Sequence, residues 1–185
     1  MKIVELGYIN YLECLDILEN LINEKENYLI FATHNPVYTI GTDENDFGVK
    51  AIKVDRGGSI TYFDEGTLMV YFAFNVKSPP VFFKNVIKAI DNFFKSLDTK
   101  IYYDKSKPGF YIENKKIASL GFRYKNGRSK HGVSIHLNPN LENFNKIRPC
   151  NLDVVATSLY NEGIYISADE AKEKIIKEVK NVFKA

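Results

Sequence analysis

Cys150 is the residue of this chain whose surroundings best suit covalent chemistry. It directly follows Arg148 and Pro149, and Lys146 lies a short way before it. The proline restricts the backbone before the sulfur, and the two basic side chains place positive charge nearby, which lowers a thiol pKa and favours the reactive thiolate. The alternative interpretation is a buried cysteine that behaves as a small hydrophobic residue. The rest of the chain favours the interpretation of Cys150 as a reactive thiol.

A second segment, Arg56-Gly57-Gly58-Ser59, combines a guanidinium group with paired glycines. Glycine lets the backbone approach a ligand closely and adopt positive φ, and Arg56 suits an anionic or carbonyl group. The same pattern also occurs in ordinary hairpin turns before a strand. It is not a phosphate-binding loop, because no Gly-Lys-Ser or Gly-Lys-Thr ending follows.

A third segment begins with Lys116 and ends at Gly121. Strict strand alternation predicts one face with Lys116, Ala118 and Leu120 and a second face with Ile117 and Ser119. Most lysines at the start of a strand are exposed. A partly buried lysine beside a thiol, by contrast, can exchange protons near neutral pH.

The histidines, His34, His131 and His136, show no pairing at a helical metal-ligand spacing, so we expect no metal site. His131 precedes Gly132 at the entry to a predicted strand, where it either lines a pocket or closes a turn. The spacing alone does not support a Ser-His-Asp triad.

The length of 185 residues favours one domain that spans residues 1–185. The composition is too apolar for disorder, no apolar run is long enough to span a bilayer, and the N-terminus lacks a signal peptide. Two cysteines, Cys14 and Cys150, do not make a disulfide framework, so we expect a cytoplasmic protein. The net charge of +2 points neither to nucleic acid nor to a membrane surface as a partner.

Apolar residues at helical spacing predict a helix from Tyr8 to Leu21, and Pro79-Pro80 opens a second helix that reaches Leu97. Ser167 begins a capping box for a third helix, which ends near Phe183. Strands are predicted at 28–32, 37–41, 67–74, 101–103, 110–112, 116–123 and 133–137. Glu113-Asn114-Lys115 suits one hairpin loop, in which Asn114 is able to take positive φ, and Asn126-Gly127 marks another. This mixture predicts an α+β fold.

In this order the segments resemble the octanoyltransferases of the lipoate pathway, also called lipoyl(octanoyl) transferases. The resemblance rests on His34-Asn35-Pro36-Val37-Tyr38-Thr39-Ile40-Gly41, Arg56-Gly57-Gly58, Thr61-Tyr62, Lys116-Ile117-Ala118-Ser119-Leu120-Gly121, His131-Gly132-Val133, Leu137-Asn138, Leu141, Phe144 and Ile147-Arg148-Pro149-Cys150. Each motif alone is weak, whereas their order, spacing and residue types together are specific. They cover the chain from His34 to Cys150.

The resemblance implies the fold of the biotin and lipoate protein ligases, a mixed, largely antiparallel sheet flanked by helices. It implies transfer of an octanoyl group from octanoyl-acyl carrier protein to a lysine of a lipoyl domain, in 2-oxoacid dehydrogenase complexes or in the glycine cleavage H protein. Cys150 would form the acyl thioester, and Lys116 would lower its pKa and move protons, without a metal or cofactor. The acyl site would be lined by Arg56, Gly57, Gly58, Ser59, Ile60, Thr61, Tyr62, Phe63, Ser119, Leu120, Gly121, Gly132, Val133 and Ser134.

The chain departs from the family pattern at two places. Phe63-Asp64-Glu65-Gly66 stands where the family has His-Gly-Pro-Gly. Its Asp-x-Gly pattern resembles the corresponding segment of ATP-using lipoate ligases and octanoyl amidotransferases. Asn151 replaces the glycine that commonly follows the cysteine. Two alternatives therefore stand beside the transferase: an ATP-dependent lipoate or octanoate protein ligase, and a non-catalytic relative that binds lipoyl domains.

Overall fold

The computed structural model describes residues 1–43, 48–147 and 155–183. Cys150, Arg148, Pro149 and Asn151 lie outside the described residues. The strands are β1 (Lys2–Ile9), β2 (Tyr28–His34), β3 (Val37–Ile40), β4 (Ala51–Lys53), β5 (Ile60–Phe63), β6 (Thr67–Ala73), β7 (Tyr102–Asp104), β8 (Gly109–Ile112), β9 (Lys115–Lys125), β10 (Arg128–His136) and β11 (Val155–Ala156). The helices are α1 (Tyr11–Ile22), α2 (Pro79–Lys95), α3 (Leu141–Asn145) and α4 (Ala168–Phe183).

A large sheet with the strand order β1-β2-β6-β10-β9-β8-β7 forms the centre of the fold. Its neighbouring strands are antiparallel except for the parallel pair β1 and β2, and the short β11 adds a second parallel pair with β9. A smaller sheet has the order β4-β3-β5. The prediction of an α+β fold with a mixed, largely antiparallel sheet is confirmed.

The large sheet is covered on both faces, as β6 shows most directly. Every residue of β6 is buried, and successive side chains enter two different cores. Leu68, Val70 and Phe72 pack in the core that includes α2 and α4, whereas Met69 and Tyr71 pack in the core that includes α1 and Phe63 of the small sheet. A strand buried on both faces fixes its register firmly, because a shift by one residue would exchange these two sets.

The first helix begins later than the sequence predicts. Tyr8 belongs to β1, and α1 starts at Tyr11 because the side chain of Asn10 accepts a hydrogen bond from the backbone N–H of Leu12. At the other end of the chain the predicted cap is confirmed, since the Ser167 hydroxyl accepts from the backbone N–H of Glu170 at 3.1 Å. None of the helices in the described residues is long and apolar enough to cross a membrane.

The two predicted hairpins differ in outcome. Asn126 and Gly127 have φ of 51° and 73°, as the Asn-Gly signal predicts. Between β8 and β9, however, Glu113 and not Asn114 takes positive φ, with φ of 52°. The predicted hairpin is therefore confirmed, but its positive φ falls one residue before Asn114, and β9 begins already at Lys115.

Candidate functional site

A cavity of about 880 Å³ lies between the large and the small sheet. Its walls come from β6, β9 and β10 and from the segment that leads into β5. Twelve residues predicted for the acyl site lie on these walls: Arg56, Gly57, Gly58, Ser59, Ile60, Thr61, Phe63, Ser119, Leu120, Gly121, Gly132 and Ser134. Lys116 lies there as well, so the fold brings the separate sequence motifs together around one space.

Tyr62 and Val133, the other two predicted lining residues, do not reach the cavity wall. Val133 is fully buried in the core beside α2 and α4, because strand alternation turns it away from its neighbours Gly132 and Ser134. Tyr62 packs against Phe144, with ring centroids 5.3 Å apart. Since Phe144 does line the cavity, Tyr62 supports the wall from behind.

Lys116 reaches the cavity through an irregularity in β9. Phe110 of β8 pairs with Ala118, but the next residue, Tyr111, pairs with Lys116. Ile117 is therefore an extra residue, a β-bulge, and both Ile117 and Ala118 enter the core. The predicted strict alternation is wrong for this reason, and Lys116 shares the cavity face with Ser119.

The Lys116 side chain is partly buried and has an aromatic neighbour. Its Nζ lies 5.6 Å from the centroid of the Tyr111 ring, a cation–π arrangement. Among the described residues no carboxylate forms an ion pair with it. Burial lowers the pKa of Lys116 below its ordinary value, since the charged form loses solvation. Gly109 makes room for this side chain, because a Cβ there would lie 2.5 Å from Lys116 Cε.

Arg56 is buried and fixes the small sheet against the cavity. Its Nη2 donates to the Thr39 carbonyl oxygen at 2.9 Å and to Thr39 Oγ1 at 3.0 Å, and Nη1 donates to the Gly57 carbonyl oxygen at 3.1 Å. Nε makes no hydrogen bond within the described part of the chain. Gly58 has φ of 88°, the conformation for which the paired glycines were proposed.

His131 of β10 contacts the segment between β4 and β5 at the cavity wall. Its Nε2 lies 2.6 Å from Asp55 Oδ1, and Lys130 Nζ lies 3.5 Å from the same oxygen. Its φ of 66° is unusual for a residue other than glycine and marks local strain. Burial lowers the pKa of His131, although the Asp55 carboxylate opposes that shift. Of the two predicted alternatives, the structure fits the first: His131 lines the cavity. It closes no turn, because it lies inside the strand β10.

The segment that replaces the family's His-Gly-Pro-Gly has a structural role in this fold. Phe63 packs near Tyr11, with ring centroids 5.8 Å apart, and also lines the cavity. Asp64 is buried, and its two carboxylate oxygens accept from the backbone N–H groups of Gly66 at 3.0 Å and Asn140 at 2.8 Å. Asp64 thereby ties the turn before β6 to the start of α3.

One wall residue that the motifs did not single out is His136, which is held by a contact with Thr157. His136 Nδ1 lies 2.9 Å from the Thr157 carbonyl oxygen, and its ring packs 4.5 Å from the Phe144 ring. Thr157 in turn donates its backbone N–H to the Lys116 carbonyl oxygen at 2.8 Å. His136 was visible in the sequence only as one of three histidines, and nothing in the linear pattern connects it with Thr157.

Residues near both ends of the undescribed segment 148–154 lie on the cavity wall. Ile147 precedes it and Ala156 follows it after one residue, and each lines the cavity. The other cysteine, Cys14, is fully buried, and burial raises the pKa of its thiol to about 12. Cys14 is therefore chemically inert near neutral pH. No cluster of metal-ligating side chains occurs in the part of the chain that the structure describes.

Comparisons with known proteins agree on the family to which this chain is similar. The family model of the lipoyl protein ligase A/B catalytic domain matches residues 11–180. The octanoyltransferase of Vesicomyosocius okutanii is 30% identical over 164 residues, which cover 81% of this chain and 80% of the relative. The octanoyltransferase of Neisseria meningitidis serogroup A is 32% identical over 166 residues, covering 81% and 79%.

Solved structures support the same fold at low sequence identity. A lipoate-protein ligase A bound with ATP has a TM-score of 0.81 and 16% identity, covering 99% of this chain and 85% of that one. A bipartite lipoate protein ligase from Thermoplasma acidophilum has a TM-score of 0.79 and 14% identity, covering 99% and 83%. A biotin protein ligase from Aquifex aeolicus has a TM-score of 0.59 and 14% identity, covering 100% and 70%. The fold is therefore that of the biotin and lipoate protein ligases.

Proposed function

Because the chain belongs to the lipoyl protein ligase A/B catalytic domain family and its curated relatives are octanoyltransferases, we propose that it transfers an octanoyl group from octanoyl-acyl carrier protein to a lysine of a lipoyl domain. The acceptors are lipoyl domains of 2-oxoacid dehydrogenase complexes or the glycine cleavage H protein. The observation that carries this proposal is the position of Lys116, a partly buried cation on the wall of a cavity large enough for an acyl chain.

Cys150 is the proposed nucleophile, and chain connectivity supports this assignment. Cys150 follows Ile147 by three residues in the sequence, and Ile147 lines the cavity. A thiolate attacks the thioester carbonyl carbon, the bond to the carrier sulfur breaks, and the carrier thiol takes up a proton. In the second step the lysine amine attacks the new thioester and releases the thiol of Cys150.

Lys116 supports both steps through its charge. A cation near the sulfur stabilises the thiolate relative to the thiol, so it lowers the thiol pKa. Because burial lowers the pKa of Lys116 itself, this amine also exchanges protons more readily than an exposed lysine does. The donor thioester is itself an activated acyl group, and the proposed reaction therefore uses no nucleotide, metal or other cofactor.

Intact mass spectrometry after mixing the protein with octanoyl-acyl carrier protein tests the covalent step. We expect one octanoyl adduct that hydroxylamine removes and that Cys150→Ser abolishes. Cys14→Ser is the matched control and should keep the adduct, because Cys14 is buried with a raised pKa. Full transfer activity of the Cys150→Ser variant would refute the thioester intermediate.

A second assay separates transferase from ligase, which is the main alternative. One reaction contains octanoyl-acyl carrier protein and a lipoyl domain, and the other contains free octanoate, ATP and magnesium with the same lipoyl domain. We expect modification in the first reaction only. Modification that requires ATP would make the protein a ligase and remove the need for Cys150.

A further inference from the structure

His136 presents a buried hydrogen-bond acceptor at the cavity wall that the reaction described so far does not use. A carbonyl oxygen can only accept, so the contact of Nδ1 with the Thr157 carbonyl oxygen at 2.9 Å places the proton on Nδ1. In the neutral ring Nε2 then carries a lone pair. Nε2 is buried and has no hydrogen-bonding partner among the described residues. Because a buried acceptor without a donor costs free energy, this atom calls for a donor that enters the site.

The imidazole is held firmly in this orientation. The Phe144 ring packs against it, and Thr157 is itself fixed at three points. Its N–H donates to the Lys116 carbonyl oxygen at 2.8 Å, its Oγ1 donates to Glu162 Oε1 at 2.5 Å, and its carbonyl oxygen accepts from His136. The acceptor nitrogen is therefore positioned in advance, close along the backbone to Lys116, which is the arrangement that a reactive site needs.

We propose that His136 Nε2 accepts a hydrogen bond from the primary amine that attacks the acyl group, which makes His136 a catalytic residue of the amide-forming step. This inference rests on the proposed function. Of the groups that react in this step, the acyl thioester has no N–H or O–H to donate, whereas the attacking amine has N–H donors. As the bond between nitrogen and acyl carbon forms and the bond between carbon and sulfur breaks, one amine proton is lost from nitrogen and ends on the leaving sulfur. The lone pair of Nε2 orients the amine for this attack and stabilises the positive charge that develops on its nitrogen.

The charges at the site agree with this division of roles. Burial lowers the pKa of His136 to about 4, and the nearby Lys116 charge acts in the same direction, although the ring's contacts with the backbone of Thr157 and of Lys116 oppose the shift. The imidazole is therefore a neutral acceptor near neutral pH, while Lys116 supplies the positive charge. While Lys116 carries its proton it cannot accept a hydrogen bond from the amine, whereas His136 can.

Single-turnover kinetics of His136→Phe test the role, because phenylalanine keeps the ring and removes both nitrogens. We expect acyl-enzyme formation from octanoyl-acyl carrier protein to stay within about twofold, and transfer to the lipoyl domain to fall by about 100-fold, the lower end for a positioned proton acceptor. His136→Gln, whose side-chain oxygen can accept, should recover part of the transfer. Equal losses in both steps would show that His136 has only a structural role. Unchanged transfer would show that His136 has no role in transfer. Either result would overturn the proposal.

Nitrogen-15 NMR of the full chain with labelled histidine gives a readout that needs no transfer. We expect butylamine to move the His136 Nε2 resonance upfield, as hydrogen bonding to an imidazole lone pair does. Butyltrimethylammonium, a matched cation without N–H, should leave it in place. Loss of the resonance in His136→Phe assigns it.

Three NMR results bear on the proposal. No shift with butylamine would overturn it. A resonance that is already shifted in the free protein and that moves back in Lys116→Met would also overturn it, since Lys116 would then fill the acceptor. A butylamine shift in a protein that transfers no octanoyl group would refute the proposed function and leave the amine site standing.

Discussion

Gly109 is predicted to set the position of the Lys116 amine, and Gly109→Ala tests this without touching the lysine. A Cβ at Gly109 would lie 2.5 Å from Lys116 Cε and 3.2 Å from Nζ. Carbon atoms in contact are about 3.5 Å apart, so the lysine must withdraw by about 1 Å. Gly109 does not have positive φ, and alanine is therefore compatible with its backbone. The Ala118 carbonyl oxygen, 3.0 Å from the same Cβ, requires only a small adjustment.

The functional effect should exceed the effect on stability. A misplacement of about 1 Å in a catalytic group can cost about 100-fold in rate. Overpacking costs about 1–3 kcal/mol in a rigid core, and we expect the lower end because the group that moves is the far end of a flexible side chain. Gly109→Ala should therefore slow octanoyl transfer by about 10- to 100-fold and lower the free energy of unfolding by about 1 kcal/mol.

The assay combines single-turnover transfer, thiol alkylation at neutral pH and urea unfolding. Asn114→Ala, an exposed position in the same hairpin, is the control and should match the parent in all three. The placement of Lys116 by Gly109 is refuted if the Gly109→Ala variant is alkylated and transfers the octanoyl group at the parent rate while the Lys116→Ala variant is slower in both. If both variants match the parent, Lys116 itself has no role.

Three further changes probe the surroundings of the site. Burial alone would raise the pKa of Glu162, but the hydrogen bond from Lys115 helps to lower this pKa below its usual value. The carboxylate therefore stabilises the fold above about pH 4.3, and this stabilisation is lost as the pH falls. Glu162→Gln should flatten the decline of the urea midpoint on acidification, whereas Glu113→Gln, at an exposed residue, should not. Arg56→Lys loses the forked contacts and should lower the free energy of unfolding by about 1–3 kcal/mol, with an unchanged urea midpoint as the contrary result. Phe63→Ala should lower the free energy of unfolding by about 3–5 kcal/mol, because it removes a core side chain and not only a contact with the acyl group. A melting temperature within a degree of the parent would contradict the place of Phe63 in the core.

The elements that were predictable from the sequence are those with strong local signals. The strand β6 is rich in aromatic and aliphatic residues, and the capping Ser167 lies just before α4, so both are found close to their predicted limits. The turn at Asn126-Gly127 has a local cause as well, since only residues that tolerate positive φ suit it. The strand β1 escaped prediction because Tyr8 has helical spacing to Tyr11, although the cap at Asn10 separates them.

The sequence predicted which segments form the site, but not which side chains of those segments point into the cavity. Motifs are contiguous in sequence, whereas strands send alternate residues to opposite sides, so Val133 and Tyr62 belong to the matched motifs but do not line the cavity. The face of Lys116 depends on the bulge at Ile117, which is defined only by the pairing of β9 with β8. His136 acquires its role through contact with Thr157, a residue on a separate element, and no local pattern encodes such a contact.

The aromatic neighbour of Lys116 has a consequence for inhibition of the enzyme. A carboxylate partner would cancel the lysine charge over a short distance, but the face of the Tyr111 ring attracts the cation and has no net charge of its own. The field of the ammonium group therefore extends into the cavity. At 5 Å and an effective dielectric constant near 20, one unit charge attracts an anion by about 3 kcal/mol. Free octanoate combines an apolar chain with such an anion, so it should compete with the proposed thioester donor for this cavity.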